Sequence, residues 1–328
     1  MDLEKIQKVE GSIKNLELRS ARIYFLVQDT KGNPKASIKY IYDIAMTLKN
    51  NNYNPIIIHE TKEYEGVSSW LDESYDVLPH QSIDGQNLAI SPEDIIVLPE
   101  LYGHVMEQIK NLPCGKIVLC QAYDHMFETL PPGVSWSQLG IYKCITTSEK
   151  QKEYISEIMK SVSVDILEPY IDEIFTKKEK PSKPIISIHT REPRDTAKII
   201  KTFYLKYPQY RWITFRDMRG ITMKDFSKFL KDSFLSVWVD NESAFGTYPL
   251  ESMSSGTPVI ATPAPGGVQD ILYGLDGCTV TESISSQALA KGLKGFKVGC
   301  RMPMNVIKAY CATSITLLYE KVFLECEM

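Results

Sequence analysis

Glu242 to Leu272, ESAFGTYPLESMSSGTPVIATPAPGGVQDIL, is the stretch whose reading decides the fold. It follows an apolar, β-rich run, Phe234-Leu-Ser-Val-Trp-Val-Asp240. It contains Ser254-Ser-Gly256-Thr-Pro258-Val-Ile-Ala261, where a helical pattern stops and an apolar strand begins. The order is strand, loop, helix, strand. In the loop Ala244-Phe-Gly246-Thr-Tyr-Pro249, a glycine at the strand's carboxyl end lets a ligand approach the backbone, and Pro249 falls in the first helical turn, where a missing N–H costs nothing. The unpaired N–H groups and positive dipole end at that helix start suit an anion such as a phosphate, which makes Gly246, Thr247 and Tyr248 ligand-side positions. Glu251, about one turn inside the helix, offers a carboxylate that can accept both protons of a ribose diol. A first-turn acid that only compensates the helix dipole would sit at the same place.

The same alternation extends upstream. Thr176-Lys-Lys-Glu-Lys-Pro181-Ser-Lys-Pro184 is polar, charged and twice interrupted by proline, which marks it as a linker. After it come a strand at Ile185–His189, a helix at about Thr196–Tyr207, a strand at Tyr210–Phe215 and a helix at Met223–Leu230. Before it, Ala21–Val27, Asn54–His59, Asp94–Pro99 and Lys116–Cys120 are apolar runs of strand length. Helix patterns fill Ile38–Asn50 and Val105–Leu112, and Tyr142–Glu149 precedes a further helix. Strand, loop, helix and strand in that order require parallel sheets with function at the strands' carboxyl ends. The expectation is an α/β protein of two Rossmann-like domains facing a cleft, residues 1–180 and 181–328. The helix pattern at Asn305–Glu325 could pack back on the first domain or within the second.

Length and composition agree with this division. A chain of 328 residues exceeds one core's usual size, and 43% hydrophobic with 24% charged residues is ordinary for a globular protein. No apolar run reaches ~18 residues, and the first twenty residues are charged and unlike a signal peptide. The expected location is the cytoplasm, with contact at the inner membrane surface left open. Seven cysteines are scattered, with no Cys-x-x-Cys pair, so neither a zinc site nor a disulfide frame is expected. Residues 184–328 carry 17 Lys and Arg against 14 Asp and Glu, and the first half carries an acidic excess. The second half therefore suits an anionic ligand, but it lacks the dense basic stripe of a duplex-DNA binder.

Three further places carry candidate chemistry. His189-Thr-Arg191-Glu-Pro-Arg194 lies between the second domain's first strand and its helix. Arginine forks hold phosphate oxygens bidentately, and cations at a helix start oppose the dipole unless something compensates them. A solvated pair at a helix start is the plainer alternative for Arg191 and Arg194. Arg216 and Arg219 lie at the end of the next strand. His125, in Gln121-Ala-Tyr-Asp124-His125 after a first-domain strand, suits proton transfer or a hydroxyl contact, although a lone histidine is more often structural.

Phe245-Gly246, Pro249-Leu250-Glu251, Met253, Gly256-Thr-Pro-Val-Ile-Ala261 and Gly266-Gly267, in this order, resemble the donor-binding signature of retaining GT-B-fold glycosyltransferases of the glycosyl transferase group 1 family. The resemblance covers nearly the whole chain and is sharp from about residue 185 to 275. It implies a nucleotide-sugar donor as co-substrate with no other cofactor, and an acceptor that could be a lipid-linked glycan, protein, small molecule or nucleic acid. No metal is expected, because the sequence has no Asp-x-Asp motif and arginines and a helix N-terminus can meet the diphosphate charge. It assigns Glu251 to the ribose and Gly246, Thr247 and Tyr248 to the donor loop. Gly266 and Gly267 become a close backbone approach, Arg191 and Arg194 diphosphate ligands, Arg216 and Arg219 nucleotide-side positions, and His125 or Gln121 a sugar contact. One departure stands out: the family's first Glu falls on Ser243 here, with Glu242 one residue early. Glu242 is the catalytic candidate if a bulged loop carries it to the sugar; otherwise Ser243 leaves open a non-catalytic donor-binding partner of an active transferase. A sugar-nucleotide epimerase of the same fold is a separate alternative.

Overall fold

The structure, a computed structural model, describes residues 21–84, 88–176, 183–240, 245–262 and 278–280. Glu242, Gly266, Gly267 and the expected helix at Asn305–Glu325 lie outside the described residues. The chain divides into two compact units that meet at Leu167 and Glu168.

The first unit is a seven-stranded parallel sheet in the order β3-β2-β1-β4-β5-β6-β7. Its strands are β1 (Arg22–Leu26), β2 (Asn54–His59), β3 (His80–Ser82), β4 (Ile95–Pro99), β5 (Gly115–Cys120), β6 (Lys143–Thr146) and β7 (Ser163–Ile166). The order 3-2-1-4-5-6 is that of a Rossmann fold, with the topological switch between β1 and β4. Strands β1 and β4 are covered on both faces, which explains why they read as continuous apolar runs and not as alternating patterns. The crossover from β1 is helix α1 (Ala36–Asn50). Its buried face, including Ile38, Ile41, Ala45 and Leu48, recurs at helical spacing. Helices α2 (Gly103–Ile109), α3 (Met126–Thr129) and α4 (Glu149–Ile158) complete the unit. Ser148 caps α4 by accepting from Gln151 N.

The second unit is a five-stranded parallel sheet in the order β12-β11-β10-β8-β9. Its strands are β8 (Ile185–Thr190), β9 (Thr214–Asp217), β10 (Leu235–Val239), β11 (Val259–Ala261) and β12 (Cys278–Val280). This is the other doubly wound order, with its switch between β8 and β10. Helices α5 (Pro193–Lys206), α6 (Met223–Asp232) and α7 (Tyr248–Ser254) connect the strands.

Two expectations shift in detail. The strand expected at Tyr210–Phe215 forms at Thr214–Asp217, because Pro208 opens a 3-10 turn through Tyr210 and the Tyr207 and Tyr210 rings pack on Phe203. The strand after α4 ends at Ile166. Ile171 and Phe175 beyond it pack into the second unit's core with Met218 and Leu230, and Ser227 Oγ donates to Ile174 O at 2.6 Å. The linker expected at Thr176–Pro184 therefore lies beyond the point where the units meet, and residues 177–182 are not described. Among the described residues no helix is long and apolar enough to cross a membrane. Cys114, Cys120 and Cys144 are buried free thiols.

Candidate functional site

In the second unit the site is built at the carboxyl ends of β8, β9 and β10. After β10 the chain reaches Gly246, whose φ of 77° lies in the left-handed region where a side chain would strain the backbone. It then enters α7, with Thr247 as the capping residue and a proline in the first turn. Glu251, half-buried, lies in that first turn as expected. The helix ends in a double closure: Gly256 N donates to Met253 O at 2.9 Å and Thr257 N to Ser252 O at 3.0 Å, with Gly256 at φ 76°. That is the Schellman arrangement, and it explains why Ser-Ser-Gly-Thr-Pro stops the helix and releases the chain into β11.

Hydroxyl groups fix α7 from behind. Ser236 Oγ of β10 lies 2.5 Å from Ser252 Oγ, which donates to Thr257 O at 2.9 Å. Thr257 Oγ1 in turn donates to Leu230 O and Ser233 O at the end of α6. Tyr248, the first residue of α7, is 4% exposed and donates from its hydroxyl to Ser187 Oγ of β8 at 3.2 Å. Burial pushes its phenol far above the ordinary range, so it stays a neutral donor.

The arginines divide into three situations. Arg191, just past β8, ties its backbone N–H to Val239 O at 3.1 Å and sets Nη1 3.7 Å from the buried Asp240 carboxylate. Arg194 sits in the exposed first turn of α5. Arg216 sets its guanidinium over the ring of Phe229 on α6, 3.8 Å from the centroid. Arg219 is bound to Asp217 through Nε, at 3.0 Å from Oδ1, and through Nη2. This contact holds the Asp217 carboxyl below the usual carboxylate range.

The first unit places different chemistry at its strand ends. A cavity of about 830 Å³ opens beyond β1 and β2, lined among others by Gln28, Asp29, Lys31, Glu60, Tyr64 and Glu65. Behind it His59 Nε2 and His80 Nδ1 are 2.9 Å apart, and the Tyr64 ring stacks on His59 at 4.2 Å and on His80 at 5.3 Å. Burial pushes the His59 imidazole down to about 4, with His80 also opposing its protonation, so the stack is neutral. Sequence reading did not find this group. Its members come from the end of β2, the loop after it and the short β3, and only pairing of β2 with β3 unites them. Glu100, at the end of β4, is 4% exposed and accepts from the N–H groups of Gln121 (3.1 Å) and Ala122 (2.9 Å). Burial raises its carboxyl above the ordinary range. Gln121 also donates from its side chain to Ser37 O at 3.1 Å, and His125 Nδ1 lies 2.6 Å from Glu128 Oε1 in its own turn.

Comparison with known proteins bears on the class. No protein-family model matches the chain. An α-1,6-glucosyltransferase of Actinobacillus pleuropneumoniae serotype 7 is 23% identical over 226 residues, covering 66% of this chain and 66%, just under two thirds, of that protein. Among solved structures, sucrose-phosphate synthase of Thermosynechococcus elongatus superposes with a TM-score of 0.62 at 11% identity, covering 92% of this chain and 98% of its own. The pneumococcal O-GlcNAc transferase GtfA, in complex with UDP and GlcNAc, gives 0.65 at 10% identity, covering 93% and 99%. The Anabaena protein HepE, in complex with UDP-glucose, gives 0.60 at 14% identity, covering 92% and 95%. The chain has the fold of GT-B glycosyltransferases, the class its sequence resembles.

Proposed function

We propose that the protein transfers a hexosyl group from a nucleotide-sugar to an acceptor, with retention at the anomeric carbon and without a bound metal. One observation carries the reading. The Gly246 turn, the start of α7 with Glu251 in its first turn, and Arg191 beside Asp240 belong to segments that all leave the carboxyl ends of β8 and β10, where a doubly wound sheet binds its nucleotide. The α-1,6-glucosyltransferase relative and the structures of similar fold bound to UDP or UDP-glucose support a nucleotide-sugar as the ligand. Retention rests on the resemblance of Phe245–Ala261 to the retaining enzymes.

In this reading Glu251 accepts from the ribose hydroxyls, and the backbone around Gly246 and Thr247 meets the diphosphate. As the glycosidic bond lengthens, negative charge grows on the departing diphosphate. Arg191 and Arg194 stabilise that charge more than they stabilise the bound ground state, and only this difference raises the rate. No cation is called for, because guanidinium forks and backbone N–H groups meet the charge. The acceptor takes the cavity beyond β1 and β2. Asp29, Glu60, Glu63, Glu65 and Asp84 outnumber Lys31 and Lys62 in its lining, so it favours a neutral or amine-bearing acceptor over an anionic one.

The test is a panel of nucleotide-sugars incubated with the protein alone, with mass-spectrometric detection of slow donor hydrolysis, which needs no acceptor. Release of nucleotide from one donor is expected. No hydrolysis and no binding across the panel would overturn the reading.

A further inference from the structure

Two buried polar atoms at neighbouring strand ends have no hydrogen-bond partner among the described residues: Nη1 of Arg219 and Nδ1 of His189. A buried donor left unpaired costs about 1–3 kcal/mol and more when charged, so a native structure keeps one for a reason. Arg219 follows β9 and cannot swing away to satisfy it. Its Nε and Nη2 are both on the Asp217 carboxylate, and its backbone N–H donates to Asp217 Oδ1 at 3.1 Å. That fixes the guanidinium plane and leaves one N–H edge directed elsewhere. Gly220 follows at φ 67°, with open space where a side chain would begin.

His189 is the penultimate residue of β8, the strand that pairs with β9 so that Ile188 lies opposite Asp217. Its ring is 5.2 Å from Tyr248 at the start of α7. The charges that face it are Asp240 from the end of β10, and Asp217 and Arg219 from β9 and the turn after it. Burial outweighs the two carboxylates and keeps the imidazole neutral. Arg216, by contrast, spends its guanidinium on Phe229.

We infer that Arg219 and His189 together form a polar notch that hydrogen-bonds the nucleotide part of the donor, with Arg219, oriented by Asp217, supplying the charged donor and Arg216 only packing. The inference rests on the donor-site reading above. The oxygen that Arg219 meets belongs either to a phosphate or to a base carbonyl, which share the same acceptor chemistry.

Calorimetry on the full chain tests it, with UDP, UMP and uridine as probes, UDP being bound in the GtfA structure and forming part of the UDP-glucose in the HepE structure. Arg219→Ala is expected to weaken UDP by about tenfold or more, Arg219→Lys to recover part of that, and Arg216→Ala to change it by less than about threefold. His189→Phe keeps the ring volume without the nitrogens and should weaken UDP by about three- to tenfold. Asp217→Asn, which leaves the guanidinium present but less firmly held, should fall between wild type and Arg219→Ala. A loss shared by uridine assigns the base oxygen; a loss confined to UDP and UMP assigns a phosphate. Wild-type UDP affinity in Arg219→Lys and His189→Phe, both of which retain bulk and need not unfold the sheet, would overturn the inference. So would a larger loss from Arg216→Ala than from Arg219→Ala. If UDP, GDP and ADP all fail to bind the wild type, the donor-site reading falls with it.

Discussion

The two sheets are variations on one architecture, yet their carboxyl ends carry opposite chemistry. Beyond β1 and β2 the first unit presents an acidic recess backed by a neutral stack of Tyr64, His59 and His80. Beyond β8, β9 and β10 the second presents Arg191, Arg194 and Arg219, two of them braced by carboxylates. A parallel sheet dictates where ligands go, and the loops dictate which ligands those are. In the proposed reading, the division between anionic donor and non-anionic acceptor follows from the loops alone.

The largest expected effect would break the contrast at its basic end. Arg194→Ala should lower kcat by roughly 10²–10³, the range for one lost preorganised donor, while donor affinity falls less. Arg194→Lys should restore part of the rate. Steady-state kinetics with the hydrolysed donor read both, and wild-type turnover in the alanine variants of Arg191 and Arg194 would make them a solvated pair. Glu251→Ala comes next: removing charge-assisted hydrogen bonds to the ribose should cost about 1.5–3 kcal/mol in donor binding by calorimetry. An unchanged affinity would reduce Glu251 to a dipole-compensating acid.

The third prediction concerns the acidic end. His59 is held at about 4 in the folded chain against an ordinary 6.5, so the unfolded state takes up its proton first as pH falls. Stability contributed by the neutral ring is complete above about 6.5 and drains away towards 4, by about 3 kcal/mol. Thermal melting across that range should show the loss, and His59→Phe should flatten it; an equal slope in the variant would mean that other groups govern acid stability. Smallest of all, EDTA should leave turnover unchanged. Loss on chelation, restored by Mn²⁺ or Mg²⁺, would hand a cation the work assigned here to the arginines.

Much of the fold was legible because strands buried on both faces must be apolar throughout, as in β1, β2, β4 and β10. The short strands β3 and β12 carry too few residues to show a pattern. Tyr210–Phe215 misled because Tyr210 closes a 3-10 turn and packs on Phe203, so the strand begins only at Thr214. At the site, the Gly246 turn and α7 could be read locally, since proline, glycine and the helix stop lie within a dozen or so residues. Arg216 and Arg219 could not be told apart from the sequence. Their difference lies in what each touches, an aromatic ring in one case and a carboxylate in the other.

The hydroxyl relay from Ser236 through Ser252 and Thr257 to the end of α6 bears on how this protein can change over time. A helix pinned at its back by three buried hydroxyl groups tolerates few replacements. The exposed turn at the start of α5 has no such bracing. Variation that retunes donor preference should therefore collect in the loops after β8 and β9, while α7 stays as the fixed reference against which those loops are selected.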